Sequence, residues 1–284
     1  MVVDLVDGFT GRLLKIKEGM IEVHVTLDCG PRIIWLSKEG SDNIMFNDVD
    51  EQITKDVSSM YGEQKKWRIY GGHRIWLAPE TDQTYYPDDE PVRFEAGAKC
   101  VKFYPPVRML NDAQIQLGIS FEGVNTLRID SEVIYVGRDE LKCALWGLSV
   151  FKSGGTMRVA LNQEDTGYLP NRNIVFWPYS DIKDPRFSMD NEFLQLKSDK
   201  KCEKPFKVGL YQKDFHVTYE LDDGKSVTKI EKRILSASDG SYPDYSCNFE
   251  AYTNHLIHEI ETLTPFNTLK FGQKIKQTEF WTLT

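Results

Sequence analysis

Helical periodicity is scarce along these 284 residues. Apolar positions seldom recur at the three- and four-residue spacing of an amphipathic helix, which argues against a helical bundle. Long hydrophobic runs are missing too. None approaches the roughly 20 residues that cross a bilayer, so no membrane partner is expected. Positive charge is in deficit, with 35 Lys and Arg against 43 Asp and Glu and a formal net charge of −8. Nucleic-acid binders carry a basic patch, so that balance argues against a nucleic-acid partner. The Gln64-Lys65-Lys66-Trp67-Arg68 run is too short to be more than a solvated face.

Cysteine is sparse. Cys29, Cys100, Cys143, Cys202 and Cys247 lie dozens of residues apart, without the close spacing of a zinc knuckle or a redox dithiol. They read as buried, reduced thiols of a cytoplasmic protein. The start, Met1-Val2-Val3-Asp4-Leu5-Val6-Asp7, has an early acid and no basic-then-apolar signal pattern, which argues against export. Gly8-Phe9-Thr10-Gly11 and Gly71-Gly72 lack the full glycine-and-lysine pattern of a phosphate loop. His255, His258 and Glu259 do not follow the His-Glu-x-x-His order of a zinc helix. No metal and no other cofactor is expected.

What is present is strand. Leu13–Lys17 and Met20–Leu27 alternate around Glu18-Gly19, a hairpin signal. Gly30-Pro31 turns the chain into Arg32–Leu36. Residues 47–69 are polar and read as a covering excursion with one short helix around Glu51–Ser58. Strand-like pieces recur from Val92 to Ile134, at Leu141–Val150 and Thr156–Leu161, and on either side of Asp222-Asp223-Gly224-Lys225. The last run through Asn248–Thr253, His258–Leu263 and Phe280–Leu283. With 40% hydrophobic and 27% charged residues the mixture is globular, and many short strands with regular turns specify an all-β sandwich. No stretch has linker composition, so residues 1–284 are expected to form one domain.

Three stretches carry candidate chemistry. In Tyr70-Gly71-Gly72-His73-Arg74-Ile75-Trp76-Leu77-Ala78-Pro79-Glu80 a glycine bend leads into a strand. Alternation puts His73, Ile75 and Leu77 on one face and Arg74 and Trp76 on the other. A cation, a stacking ring and a proton carrier beside a bend suit a ligand floor; the alternative is a core tryptophan with arginine as its polar cover. In Asn248–Thr253, Asn248, Glu250 and Tyr252 share a polar face on what reads as a central strand. A desolvated Glu250 has a raised pKa and suits a base near neutrality; the alternative is a structural glutamate paired with Arg or Lys. Glu259 and Glu261 share a face of the next strand, as an acid–base pair or a solvated one. The 6 Trp and 13 Tyr supply rings that suit the apolar faces of sugars, although most aromatic residues are expected in the core.

These residues resemble a known family. Leu27-Asp28-Cys29-Gly30-Pro31-Arg32-Ile33-Ile34-Trp35-Leu36 with Asn43–Asn47 is similar to the opening of the galactose mutarotase-like proteins, the aldose 1-epimerase superfamily. Gly71–Glu80, Trp177-Pro178-Tyr179, Asp184-Pro185-Arg186 and the tail from Phe249 to Phe266 with Trp281 resemble one uncharacterised branch of it. The resemblance implies an antiparallel β-supersandwich with a sugar cleft on its concave face. It implies Glu250 as the base that takes the anomeric proton, with His73 as candidate acid. Arg74, Trp76, Glu80, Asn248, Tyr252 and Trp177 are then candidate sugar-binding residues. The family's mid-chain histidine motif has no counterpart in Cys143–Ser149. The expected ligand is a small-molecule carbohydrate, bound by a monomer or homodimer. The expected function is carbohydrate binding, with interconversion of sugar anomers as the candidate enzyme chemistry. The alternative is a non-catalytic sugar sensor or accessory module, and less favoured is a lyase or hydrolase.

Overall fold

The computed structural model describes residues 1–109, 111–235 and 240–284. The chain builds two large antiparallel sheets. The first has eleven strands. Its centre runs in the spatial order Ile33–Lys38, Gly72–Ala78, Leu141–Lys152, Ile257–Leu263, Phe249–Thr253, Phe206–Leu210. The second has ten, with Val227–Ile234, Lys274–Leu283, Thr126–Tyr135 and Ala113–Glu122 side by side. Among the described residues helix is confined to single turns such as Ser58–Tyr61.

Alternation decides what each strand buries. Ile16, Val23, Ile33, Phe151, Val208, Ala251 and Ile260 of the first sheet meet Phe103, Ile119, Ile129, Val217, Tyr219 and Trp281 of the second in one apolar core. The Leu141–Lys152 strand is buried on both faces from Cys143 to Phe151. Its second face, with Ala144, Trp146, Leu148 and Val150, joins Trp67, Ile69, Trp76, Tyr86 and Leu263 in a separate cluster on the outer side of the sheet.

That outer cluster exists because the polar excursion folds back over the sheet. Its helix differs from the expectation over Glu51–Ser58. Asp48 accepts hydrogen bonds from the amides of Gln52 and Ile53 and closes a turn there. Thr54–Asp56 then pairs with Lys66–Arg68 as a two-stranded ribbon, and the helical turn is Ser58–Tyr61. Asp56 accepts from the Ser58 amide at the start of that turn, an Asx-type local bond. The cysteines are free; Cys29, Cys143 and Cys247 are buried, whereas Cys100 and Cys202 are half-buried rather than buried as expected. No helix among the described residues is long and apolar enough to cross a membrane.

Candidate active site

The glycine bend sets the first side chain in place. Tyr70, Gly71 and Gly72 have φ of 51°, 98° and 69°. A Cβ on Gly71 would stand 2.1 Å from the Phe46 carbonyl oxygen, and one on Gly72 2.2 Å from that of Ile33. Only glycine fits a left-handed backbone pressed this close to its neighbours. The bend delivers the Gly72–Ala78 strand into register with Leu141–Lys152, so that Arg74 lies opposite Leu148 and Trp76 opposite Trp146. Across the next strands Leu148 lies opposite Glu261, and Glu261 opposite Glu250. The side chains of this row all point away from the core.

All of them but Glu250 line a cavity of about 290 Å³. Its apolar wall is aromatic. Trp76 stands 5.5 Å from Trp67, 5.7 Å from Trp146 and 5.1 Å from Tyr85, ring centre to ring centre, all at tilted or edge geometries. Tyr179 and Tyr252 form the opposite side, 6.5 Å apart. Arg74, Glu80, Lys207, Glu259 and Glu261 also line it.

The charged groups are only partly matched. Lys207 Nζ is 2.7 Å from Glu250 Oε2 and 3.1 Å from Glu261 Oε2. It also stands over the rings of Trp177 and Trp146, at 4.6 and 5.1 Å. Glu261 Oε2 accepts a second bond, 2.8 Å long, from Trp146 Nε1. The remaining oxygen, Glu261 Oε1, has no partner, and neither have Glu259 Oε1, Arg74 Nε and Arg74 Nη1. Arg74 Nη2 lies 3.8 Å from Glu259 Oε1, too far for a hydrogen bond. Two unpartnered donors and two unpartnered acceptors therefore belong to buried side chains that line one small hollow. Buried polar atoms in folded proteins are almost always satisfied, so such a group asks for a ligand.

Burial and charge tune these groups. Burial, with Glu261 adding to it against the pull of Arg74, pushes the Glu259 carboxyl up to about 7. Burial also raises Glu250 well above the usual carboxylate range, against the pull of Lys207. Burial acts to lower Lys207, but Glu261 and Glu250 outweigh it and hold the ammonium more firmly charged. Arg74 is lowered by burial to about 10 and stays a cation at neutral pH.

Among the solved structures, the chain is similar to a galactose mutarotase-like protein from Clostridium acetobutylicum, with TM-score 0.57 and 10% identity over 100% of this chain and 98% of that one. It is similar to a galactose mutarotase related enzyme from Lactobacillus acidophilus, with TM-score 0.53 and 13% identity over 96% and 97%. A protein of Escherichia coli K12, provisionally named aldose 1-epimerase, gives TM-score 0.53 and 8% identity over 96% and 98%. The fold is that of the galactose mutarotase-like proteins. No family model and no curated protein sequence matches the chain. At these identities the likeness is one of architecture.

In this galactose mutarotase-like supersandwich the expected site residues divide. Arg74, Trp76, Glu80 and Tyr252 line the cavity. Glu80 is exposed at its rim, where it accepts a hydrogen bond from the Tyr85 hydroxyl. Glu250 shares their face but is fully buried beneath Lys207. Trp177 is half-buried and stacks on Lys207 instead of lining the hollow.

Two expectations need correction. His73 points to the other side of the sheet, because it alternates with Arg74; it contacts Ser149 Oγ at 2.9 Å and the Trp281 ring in the core. Burial lowers its imidazole to about 4, so it is neutral there. Asn248 precedes the strand, which begins at Phe249, so alternation does not govern it. Its side chain accepts from the Gln212 amide and donates to the Gln212 carbonyl, a clasp between backbone segments.

Sequence reasoning missed Trp67, Trp146, Tyr85, Tyr179 and Lys207. Trp146 was legible in principle, since an indole two residues before Leu148 shares its face. Lys207 had no signal, because only strand pairing with Phe249–Thr253 brings it to Glu250. No cluster of three or more His, Cys, Asp or Glu side chains among the described residues is placed to hold a metal ion.

Proposed function

We propose that the cavity binds a monosaccharide and exchanges its anomers, with Glu261 as base and Glu259 as acid. The unpartnered Arg74, Glu259 and Glu261 atoms inside an aromatic wall carry this reading. A sugar hydroxyl both donates and accepts, so hydroxyls match mixed free donors and acceptors, while rings cover the apolar face of the sugar. A cavity near the lower end of ligand-site volumes suits one sugar unit.

Glu261 has one oxygen held by Lys207 and Trp146 and the other free to take the anomeric hydroxyl proton. Glu259 near 7 is partly protonated at neutral pH and supplies the proton that the ring oxygen gains as the C1–O bond breaks. Rotation about C1–C2 and closure with the proton transfers reversed gives either anomer. Glu250, which touches Lys207 rather than the cavity, becomes a positioning residue. General acid and general base each contribute about 10²–10⁴-fold.

The test is NMR exchange between anomers of a neutral sugar panel. Glu261→Gln should lose the accelerated exchange while the folding transition stays in place. Wild-type rates no faster than buffer would remove the catalytic assignment, and no sugar bound in calorimetry would remove the carbohydrate one. A specific observation favours the second reading, a non-catalytic sugar-binding module: no histidine is among the residues lining the cavity. Binding without exchange above background would decide for it.

A further inference from the structure

The charges around the cavity say more about the ligand than that it carries hydroxyls. The described lining residues include two cations, Arg74 and Lys207, and three carboxylates, Glu80, Glu259 and Glu261. A fourth, Glu250, lies directly behind Lys207. Lys207 is already shared between two of these carboxylates. Arg74 faces the third at 3.8 Å. Carboxylates thus outnumber cations around the hollow, Glu80, Glu250, Glu259 and Glu261 against Arg74 and Lys207.

The free acceptors tell the same story. Glu259 and Glu261 alternate onto one face of the Ile257–Leu263 strand, so their side chains stand about 7 Å apart at the backbone. Both residues line the hollow, and each has a buried Oε1 without a partner. Trp76 and Trp146 line the same hollow. Carboxylates within an aromatic wall are the usual means of holding an ammonium, by charge-assisted hydrogen bonds and cation–π attraction together. A phosphate or carboxylate would instead meet like charge with little water to screen it.

Resting on the carbohydrate reading above, we propose that the preferred ligand is an amino sugar, whose protonated amine sits between Glu259 and Glu261, and that phosphorylated and carboxylated sugars are excluded. Arg74 Nε and Nη1 then donate to ring hydroxyls.

Calorimetry with a neutral hexose, its 2-amino-2-deoxy form, the N-acetylated form of that amine, the hexose 6-phosphate and the hexuronate tests the proposal. The amine should bind at least about tenfold tighter than the parent hexose, acetylation should erase the gain, and the two anionic sugars should bind at least about tenfold more weakly than the parent. In Glu259→Gln the ratio of amine to parent affinity should fall several-fold, whatever happens to the parent sugar. Glu80→Gln, at the exposed rim, should lower the same ratio less and serves as the variant if Glu259→Gln does not fold. Equal affinity for amine and parent, or tighter binding of an anionic sugar, overturns the amino-sugar proposal and leaves the carbohydrate reading standing. Failure of every sugar in the panel to bind overturns both.

Discussion

The two faces of one sheet hold two buried polar clusters, and they differ in what is left over. On the core face Lys232 Nζ contacts Ser149 Oγ at 2.7 Å and Glu279 Oε2 at 3.3 Å. Glu279 also accepts from Thr262 Oγ1 and Trp281 Nε1, both at 2.6 Å. His73 joins through Ser149, and its Nε2 is the atom left without a partner. On the cavity face Arg74, Glu259 and Glu261 together leave four such atoms. Burial of charge is common to both clusters, so burial alone does not mark a site. Unfilled hydrogen-bonding capacity, gathered in one hollow, does.

The first way to break this comparison is to remove one cation from each side. Lys232→Met removes the ammonium that Glu279 faces between the sheets. Breaking a buried pair in this manner costs about 3–5 kcal/mol. Lys207→Met leaves Glu261 at the cavity wall and Glu250 behind it, and Glu250 is already shifted toward its neutral form. Protonation should limit that loss to about 1–2 kcal/mol. Denaturant unfolding of the two variants measures both, and equal losses would show that the clusters are alike.

The pH dependence of stability sharpens the contrast, because two glutamates on opposite faces carry opposite signs. Glu259 is raised in the folded state, from 4.5 to about 7. Its favourable contribution is complete below about 4.5, where both states are protonated, and it is lost as pH climbs through about 7. The loss approaches about 3 kcal/mol as a ceiling, at about 1.4 kcal/mol per unit. For Glu279 burial acts upward, but Lys232, His73, Thr262 and Trp281 outweigh it and lower the carboxyl. Its contribution is present above the unfolded value of 4.5 and disappears on acidification through the lower folded one. Glu259→Gln should therefore flatten the stability profile between about pH 4.5 and 7, and Glu279→Gln should not. A wild-type profile that rises through that window would contradict the assignment of Glu259.

Arg74→Lys separates binding from folding. Two guanidinium nitrogens have no partner in the unliganded protein, so losing them costs little stability. A ligand that uses them loses charged hydrogen bonds, each about 1.5–3 kcal/mol, or about 10–100-fold in affinity. The opposite outcome, a large fall in the unfolding midpoint with affinity unchanged, would move Arg74 into the structural class with His73.

Much of the sandwich was legible in the residues, because alternation is a local signal. It separated Arg74 and Trp76 from His73, Ile75 and Leu77, and the structure keeps that separation. The same rule could have excluded His73 from any site containing Arg74, since a strand does not turn both to one side. What alternation leaves open is which strands become neighbours. Glu250 was readable as a buried carboxylate, and the structure gives it both the upward shift of one reading and the lysine pairing of the other, but its partner lies 43 positions earlier, at Lys207. The aromatic wall was invisible for a similar reason: Trp67 sits in a polar excursion whose return over the sheet no local pattern announces.

The smallest expected effect tests whether Trp177 belongs to the wall or to the frame. Its ring stands over Lys207, and Lys207 in turn holds Glu250 and Glu261. A cation–π contact at a largely buried ammonium contributes about 1–2 kcal/mol, so Trp177→Leu should lower stability by about that much. Sugar affinity should change less than about twofold, because no ring face opens onto the ligand, and a twofold change is well under 1 kcal/mol. Trp76→Leu should do the reverse to affinity, with about a tenfold loss, because its ring is part of the cavity lining. If Trp177→Leu weakens sugar binding as much as Trp76→Leu does, Lys207 and its indole reach the ligand directly. The boundary between the frame that holds charge and the surface that recognises sugar would then have to be redrawn to include them.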